Sequence, residues 1–192
     1  MKSPITIVLL NGVGSVGKSS IAKALQKITT EPFLHVEMDA FLKMLPDTHQ
    51  DHPDGLSFET TIEGDKPSVF VRTGAVAERA LSGMRHAIAA MASAGNNLIV
   101  DEVIFGNVTT EYGNVLSEYR MLLAPYQLYL VGVHAPLEIL EDRERRRGDR
   151  LIGLARWQYG RVHKGMVYDL EIDTELATAA ESARTIKERF GL

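Results

Sequence analysis

The chain has 192 residues, enough for one substantial core, with 45% hydrophobic residues and a formal net charge of -4. That charge and a pI near 5.9 give no overall electrostatic drive toward nucleic acid or an anionic membrane surface, so a small-molecule partner is expected. The absence of cysteine excludes disulfides and thiolate metal sites.

The first apolar run, residues 5 to 10, is shorter than the core of a secretion signal and leads straight into glycines, so a cytoplasmic location is expected. No apolar run approaches the ~20 residues of a membrane span. Read as a strand, the run opens ITIVLLNGVGSVGKSS, which fits two motifs at once. Gly12, Gly14 and Gly17 spell GxGxxG, the dinucleotide fingerprint. Gly12, four residues, then Gly17, Lys18 and Ser19 spell the phosphate-binding P-loop.

A second strand is expected at 33 to 38. The dinucleotide reading needs an acid about 20 residues after the glycines, and Glu37 and Asp39 both stand there. It leaves Lys18 followed by Ser19 unexplained. In the P-loop reading the segment Gly12, Val13, Gly14, Ser15, Val16, Gly17, Lys18, Ser19, Ser20 holds a nucleotide. Backbone N–H groups of residues 14 to 19 wrap a phosphate, the ammonium neutralises the outer phosphates and the hydroxyl ligates Mg2+. Asp39, opening into the same crevice, is then placed to orient or deprotonate an acceptor hydroxyl. The competing role is N-cap of a short helix at AFLKML. His35, inside the strand, reads as a hydrogen-bonded structural residue.

Residues 46 to 73 carry three of the seven prolines and show no helical periodicity. Such a segment is either a long surface connection or a substrate-covering insertion; because long irregular segments in compact domains are usually functional or disordered, an irregular, substrate-covering insertion over about 42 to 73 is expected. His49 and His52 lie among Asp47 and Asp51 but have no third ligand at a defined geometry. The helix after it is clear: Val76, Ala80, Met84, Ile88 and Met91 recur at helical spacing, and Gly95 supplies the stop. Met38, Met44, Met84 and Met91 read as core.

NLIVDEVIFG ends a third strand, at 97 to 101, on Asp101, the pattern of a carboxylate at a strand end that completes a Mg2+ site. Together with a full P-loop this selects phosphoryl transfer over hydride transfer. Glu102 points to the other face of the strand if Asp101 points to the metal. A fourth strand at 126 to 134 precedes EDRERRRGDRLIGLARWQYGRVHK, and eight of the 21 Lys and Arg residues fall between Arg143 and Lys164. Glu141, Asp142 and Glu144 could pair with the arginines on a solvated helix face. The other reading is a lid over 143 to 164 that delivers arginines to the phosphates and excludes water. Trp157, Tyr159 and His163 read as core or lid packing. A last strand at 168 to 173 and a helix at 175 to 190, with Thr174 as N-cap, close the chain. Apolar strands alternating with helices imply an α/β fold over 1 to 192: a five-stranded parallel sheet with helices on both faces, its polar residues gathered at the strands' carboxyl ends.

With LNGVGSVGKSS, EPFLHVEMDAF, LIVDEVIFG and the block from Val131 to Asp173 assembled, the sequence resembles the chloramphenicol phosphotransferases, antibiotic kinases of the P-loop, nucleoside-monophosphate-kinase-like group. The block containing RGDR and HKGMVYDLEIDT is the most specific part. The resemblance implies ATP-dependent phosphorylation of a primary hydroxyl on a small molecule. By it, Asp39 matches the general base, Lys18 and Ser19 match the phosphate and Mg2+ positions, and Arg143, Arg147 and Arg150 match lid arginines. The similarity lapses between about Leu42 and Arg72, where substrate selectivity is expected to reside.

Overall fold

The computed structural model describes residues 4–106, 114–148 and 151–192. β1 (Thr6–Gly12) leads into α1 (Lys18–Gln26), and β2 (Phe33–Glu37) leads into the short α2 (Met38–Leu42). β3 (Leu56–Glu63) and β4 (Lys66–Thr73) precede α3 (Ala75–Ser93). There follow β5 (Asn97–Glu102), α4 (Val115–Leu122), β6 (Gln127–His134), α5 (Leu137–Arg147), α6 (Leu154–Val162), β7 (Leu170–Asp173) and α7 (Ala179–Phe190).

Five strands form one sheet in the order β2-β5-β1-β6-β7, with every pairing parallel. All seven residues of β1 are buried. The two-residue period of the strand sends Val8 and Leu10 to one core, shared with Ile21 and Leu25 of α1 and Ile186 of α7. It sends Ile7 and Leu9 to the other, shared with Met84 and Ile88 of α3. Helices therefore cover both faces, which is why the strands read as continuous apolar runs. Parallel connections bring all five carboxyl ends to one edge.

Residues 56 to 73 are not irregular. β3 and β4 pair antiparallel from Leu56 opposite Thr73 to Glu63 opposite Lys66, joined by the two-residue turn Gly64-Asp65. The hairpin is seated where the Val69 N–H donates to the Gly153 carbonyl at 3.0 Å and Val69 packs with Leu154 and Trp157. Two further expectations are corrected. The last helix is capped by Thr178, whose hydroxyl accepts from the Glu181 N–H in a reciprocal capping box, while Thr174 is used elsewhere. Met44 is 70% exposed and belongs to no core.

Candidate active site

The loop between β1 and α1 is shaped by two glycines. A Cβ on Gly12 would lie 2.5 Å from the Val133 carbonyl oxygen of β6, so only glycine lets the strand end pass there. Gly17 is the N-cap of α1 at φ 105°, a left-handed conformation that side chains disfavour. Ser15 also turns left-handed, at φ 64°. The loop thus curls back on the start of α1. Lys18 is buried: its ammonium donates to the Gly12 and Val13 carbonyls at 2.8 and 3.2 Å and stands 3.7 Å from Asp101 Oδ1. The Ser19 hydroxyl donates to Asp101 Oδ2 at 2.6 Å.

Burial disfavours the charge on Asp101. Even so, the His35 imidazole, the Lys18 ammonium and the Ser19 hydroxyl together hold its carboxyl below the ordinary range, so it is ionised at neutral pH. Ser19 and Asp101 present oxygen donors only, the set that suits Mg2+. Glu102, one residue on, faces the opposite core. It is fully enclosed, accepts a short hydrogen bond from the Tyr119 hydroxyl and lies within 4.0 Å of Arg85. Burial pushes its carboxyl up to about 7 despite those partners. It belongs to a structural network with Arg85 and Glu118, away from the Asp101 face.

Strand order separates the two motif readings. In the dinucleotide fold the second strand lies beside the first, so its terminal acid meets the glycine loop. Here β5 lies between β1 and β2, and Asp101 occupies the position next to β1, paired with Leu10 on one side and Glu37 on the other.

Asp39 lies in the first turn of α2, half-buried. The N-cap of that helix is Glu37 and makes no side-chain cap hydrogen bond, so the cap role for Asp39 is discarded. Asp39 stays at the carboxyl end of β2, one strand away from Asp101.

Arg143 is anchored at the base of the arginine segment. It donates to the Thr174 hydroxyl and carbonyl, both at 2.8 Å, and reaches the Val16 carbonyl at 3.4 Å. Thr174 itself donates to Val16 O at 2.9 Å, so the threonine read as a helix cap instead ties β7 to the P-loop. Arg147 is exposed in the last turn of α5, and Arg150 lies outside the described residues.

Of the three acids expected to pair along the helix, Asp142 does so, with Arg146 at 2.8 Å and Arg145 at 3.7 Å. Glu144 is buried and accepts from the Gly153 and Ala155 N–H groups, both at 2.8 Å, satisfying the open start of α6. Glu141 binds Arg156 and, at 3.0 Å, Lys66 of the hairpin. Gln158 closes the arrangement, accepting at 2.7 Å from the Gly14 N–H of the P-loop. These three side chains link hairpin, α5, α6 and P-loop, and sequence reasoning did not find them.

A cavity of about 450 Å³ opens beside the loop, lined by Val13, Val16, His134, Tyr159, His163 and Asp173. Burial, His134 and Lys18 push the His163 imidazole down to about 4, so it is neutral here at pH 7, with Nδ1 2.7 Å from the Tyr168 hydroxyl. Trp157 packs edge-on against Phe70 and Phe105, as its packing role predicts. Among the described residues the one group of three potential metal-binding side chains is His35, Glu37 and Asp101; His49 and His52 belong to none.

The sequence matches the family described as "Chloramphenicol phosphotransferase-like protein" over residues 5–191. It is 32% identical over 189 residues to a Mycobacterium tuberculosis protein provisionally named an O-phosphotransferase, an alignment covering 96% of this chain and 81% of that one. Among solved structures, Mycobacterium tuberculosis APS kinase in complex with AMPPNP and APS superposes with a TM-score of 0.64 at 16% identity, covering 100% of both chains. A gluconokinase from Sinorhizobium meliloti gives 0.58 at 18%, covering 100% of this chain and 98% of that one. At such identities these two structures speak to the fold, which is that of P-loop kinases.

Proposed function

The chain belongs to the chloramphenicol phosphotransferase-like family, and from that premise we propose that it transfers the terminal phosphoryl group of ATP to a hydroxyl of a small molecule, with chloramphenicol-type alcohols as the first candidates. The coarse assignment, a P-loop kinase, follows from family membership. The observation that carries the residue roles is the engagement of one carboxylate, Asp101, by both Lys18 and Ser19.

In this reading the N–H groups of residues 14 to 19 receive the phosphates, and the Lys18 ammonium exchanges the Gly12 and Val13 carbonyls for phosphate oxygens. Mg2+ held by Ser19 and Asp101 would neutralise charge on those oxygens. Asp39 accepts the proton of the acceptor hydroxyl as its oxygen bonds to the terminal phosphorus. The bond from that phosphorus to the bridging oxygen breaks, and ADP departs with the electron pair. Arg143, Arg147 and Arg150 are assigned to stabilise the charge of the transferring phosphoryl group, and the hairpin of β3 and β4 is assigned to the acceptor.

A second acceptor class for the same chemistry is a metabolic alcohol such as a sugar acid, a shikimate-like compound or a nucleoside. A panel of hydroxyl compounds, chloramphenicol first, assayed by acceptor-dependent ADP release decides between them. ATP binding without turnover on any acceptor would instead describe a nucleotide-operated switch.

A further inference from the structure

Three side chains meet at the carboxyl edge of β2 and β5 for which the phosphotransfer reading has only a partial use. His35 and Glu37 are two residues apart on β2 and so share a face. Glu37 pairs with Asp101 in parallel register, which puts all three on the α1 side of the sheet. His35 Nε2 is 3.8 Å from Glu37 Oε1 and 3.9 Å from Asp101 Oδ2, and the three potential ligand atoms lie within 4.8 Å of one another. The His35 side chain is only 10% exposed, and its Nε2 makes no hydrogen bond. A buried ring nitrogen that faces two carboxylates without a hydrogen bond to either is costly and calls for an explanation.

Separations of 3.8 and 3.9 Å are too long for hydrogen bonds. They are near the spacing of two ligands on one ion: with bonds of about 2.1 Å, tetrahedral neighbours lie about 3.4 Å apart. We propose that His35, Glu37 and Asp101 bind a divalent transition-metal ion of the Zn2+ and Co2+ class through one imidazole nitrogen and two carboxylates.

The donor set decides the class. Mg2+ takes oxygen ligands in near-ideal octahedral geometry, whereas imidazole nitrogen suits the later first-row ions. His35 and Asp101 form a closed wall, while Glu37, 39% exposed, leaves a path for the ion to enter. Because Asp101 Oδ2 also accepts the Ser19 hydroxyl, an ion here borders the P-loop, and its occupancy would compete with Mg2+ for the same carboxylate. The site stands on its own geometry and does not depend on which alcohol is phosphorylated.

The test titrates Co2+ into the nucleotide-free protein and follows its visible absorption. One ion per chain should bind with a saturable spectrum, displaced by Zn2+ and not by an equal concentration of Mg2+. His35→Ala and Glu37→Gln should each weaken binding at least about tenfold, since losing a direct ligand costs no less than losing an outer-shell partner. Absence of a saturable spectrum, equal affinity in the variants, or displacement by Mg2+ as readily as by Zn2+ overturns the site. Should His35→Ala fail to fold, the half-exposed Glu37→Gln decides alone. An ATP analogue with Mg2+ is titrated into the same protein. Nucleotide binding without a Co2+ signal rejects the metal site and leaves the phosphotransferase reading standing, while loss of nucleotide binding counts against that reading alone.

Discussion

Ser19 Oγ donates to Asp101 Oδ2 across 2.6 Å, while Lys18 Nζ stands 3.7 Å from the other oxygen of the same carboxylate. Two consecutive residues at the start of α1 thus converge on one strand-end acid 82 positions later in the chain. The convergence is possible because β5 lies directly beside β1 and Asp101 faces α1. The Lys18 ammonium also donates to the neutral Gly12 and Val13 carbonyls, contacts that charged phosphate oxygens can replace while Asp101 stays beside it.

Replacing Lys18 by alanine should therefore remove phosphotransfer while sparing the fold. Asp101 keeps the Ser19 hydroxyl, and the core residues of α1 are untouched. Turnover is expected to fall by about 10²-fold or more, the scale of losing a charge-stabilising donor, with thermal melting followed in parallel. A purified Lys18→Ala protein that turns over at the wild-type rate would falsify the phosphate role of the loop.

Nucleotide should order the arginine segment. The Gly14 N–H is held by Gln158, so phosphate that claims this group must displace the glutamine and shift α6, and lid closure then protects backbone amides. Hydrogen exchange over residues 143 to 164 is expected to slow on adding an ATP analogue and Mg2+. Unchanged exchange would return Arg147 and its neighbours to a solvated helix face.

Glu102 sets a pH dependence of stability. Its folded value near 7 lies above its ordinary 4.5, so its contribution is fully present below about 4.5 and is lost as pH rises through 7. Glu102→Gln keeps an acceptor for Tyr119 without a titrating proton. The stability of the variant relative to wild type should rise between pH 4.5 and 7 and level off above, measured by denaturant unfolding across that range. A difference that is flat with pH would mean that Glu102 is ionised in the folded protein.

The parallel sheet was legible because strands covered on both faces are apolar throughout, as in TIVLLNG of β1. The hairpin was not, because β3 is mostly exposed and carries serine, threonine and glutamate, while Pro67 interrupts the pattern of β4. Gly64-Asp65, a two-residue turn pair between alternating residues, was the signal available. At the site, Lys18, Ser19 and Asp101 were readable because motif spacing encodes them. Glu141, Glu144 and Gln158 were not, since acids on an arginine-rich helix look like surface partners until the fold turns two of them inward. Thr174 was misplaced for a related reason: a threonine before a helical run is a cap by spacing, yet Arg143 and Val16 claim it first.

The most direct measurement is phosphotransfer from terminally labelled ATP to chloramphenicol and to the small-alcohol panel by wild type and Asp39→Asn, with ATP-analogue affinity titrated on both proteins. The substitution keeps size and hydrogen bonding but removes basicity. Label is expected in a wild-type product, with kcat reduced about 10²-fold or more in the variant and nucleotide affinity little changed. If the wild type ignores chloramphenicol and phosphorylates another alcohol through Asp39, the chemistry stands with a different acceptor. Transfer at an equal rate by Asp39→Asn, or nucleotide affinity lost with the substitution, would contradict the role of Asp39 as the group that activates the acceptor.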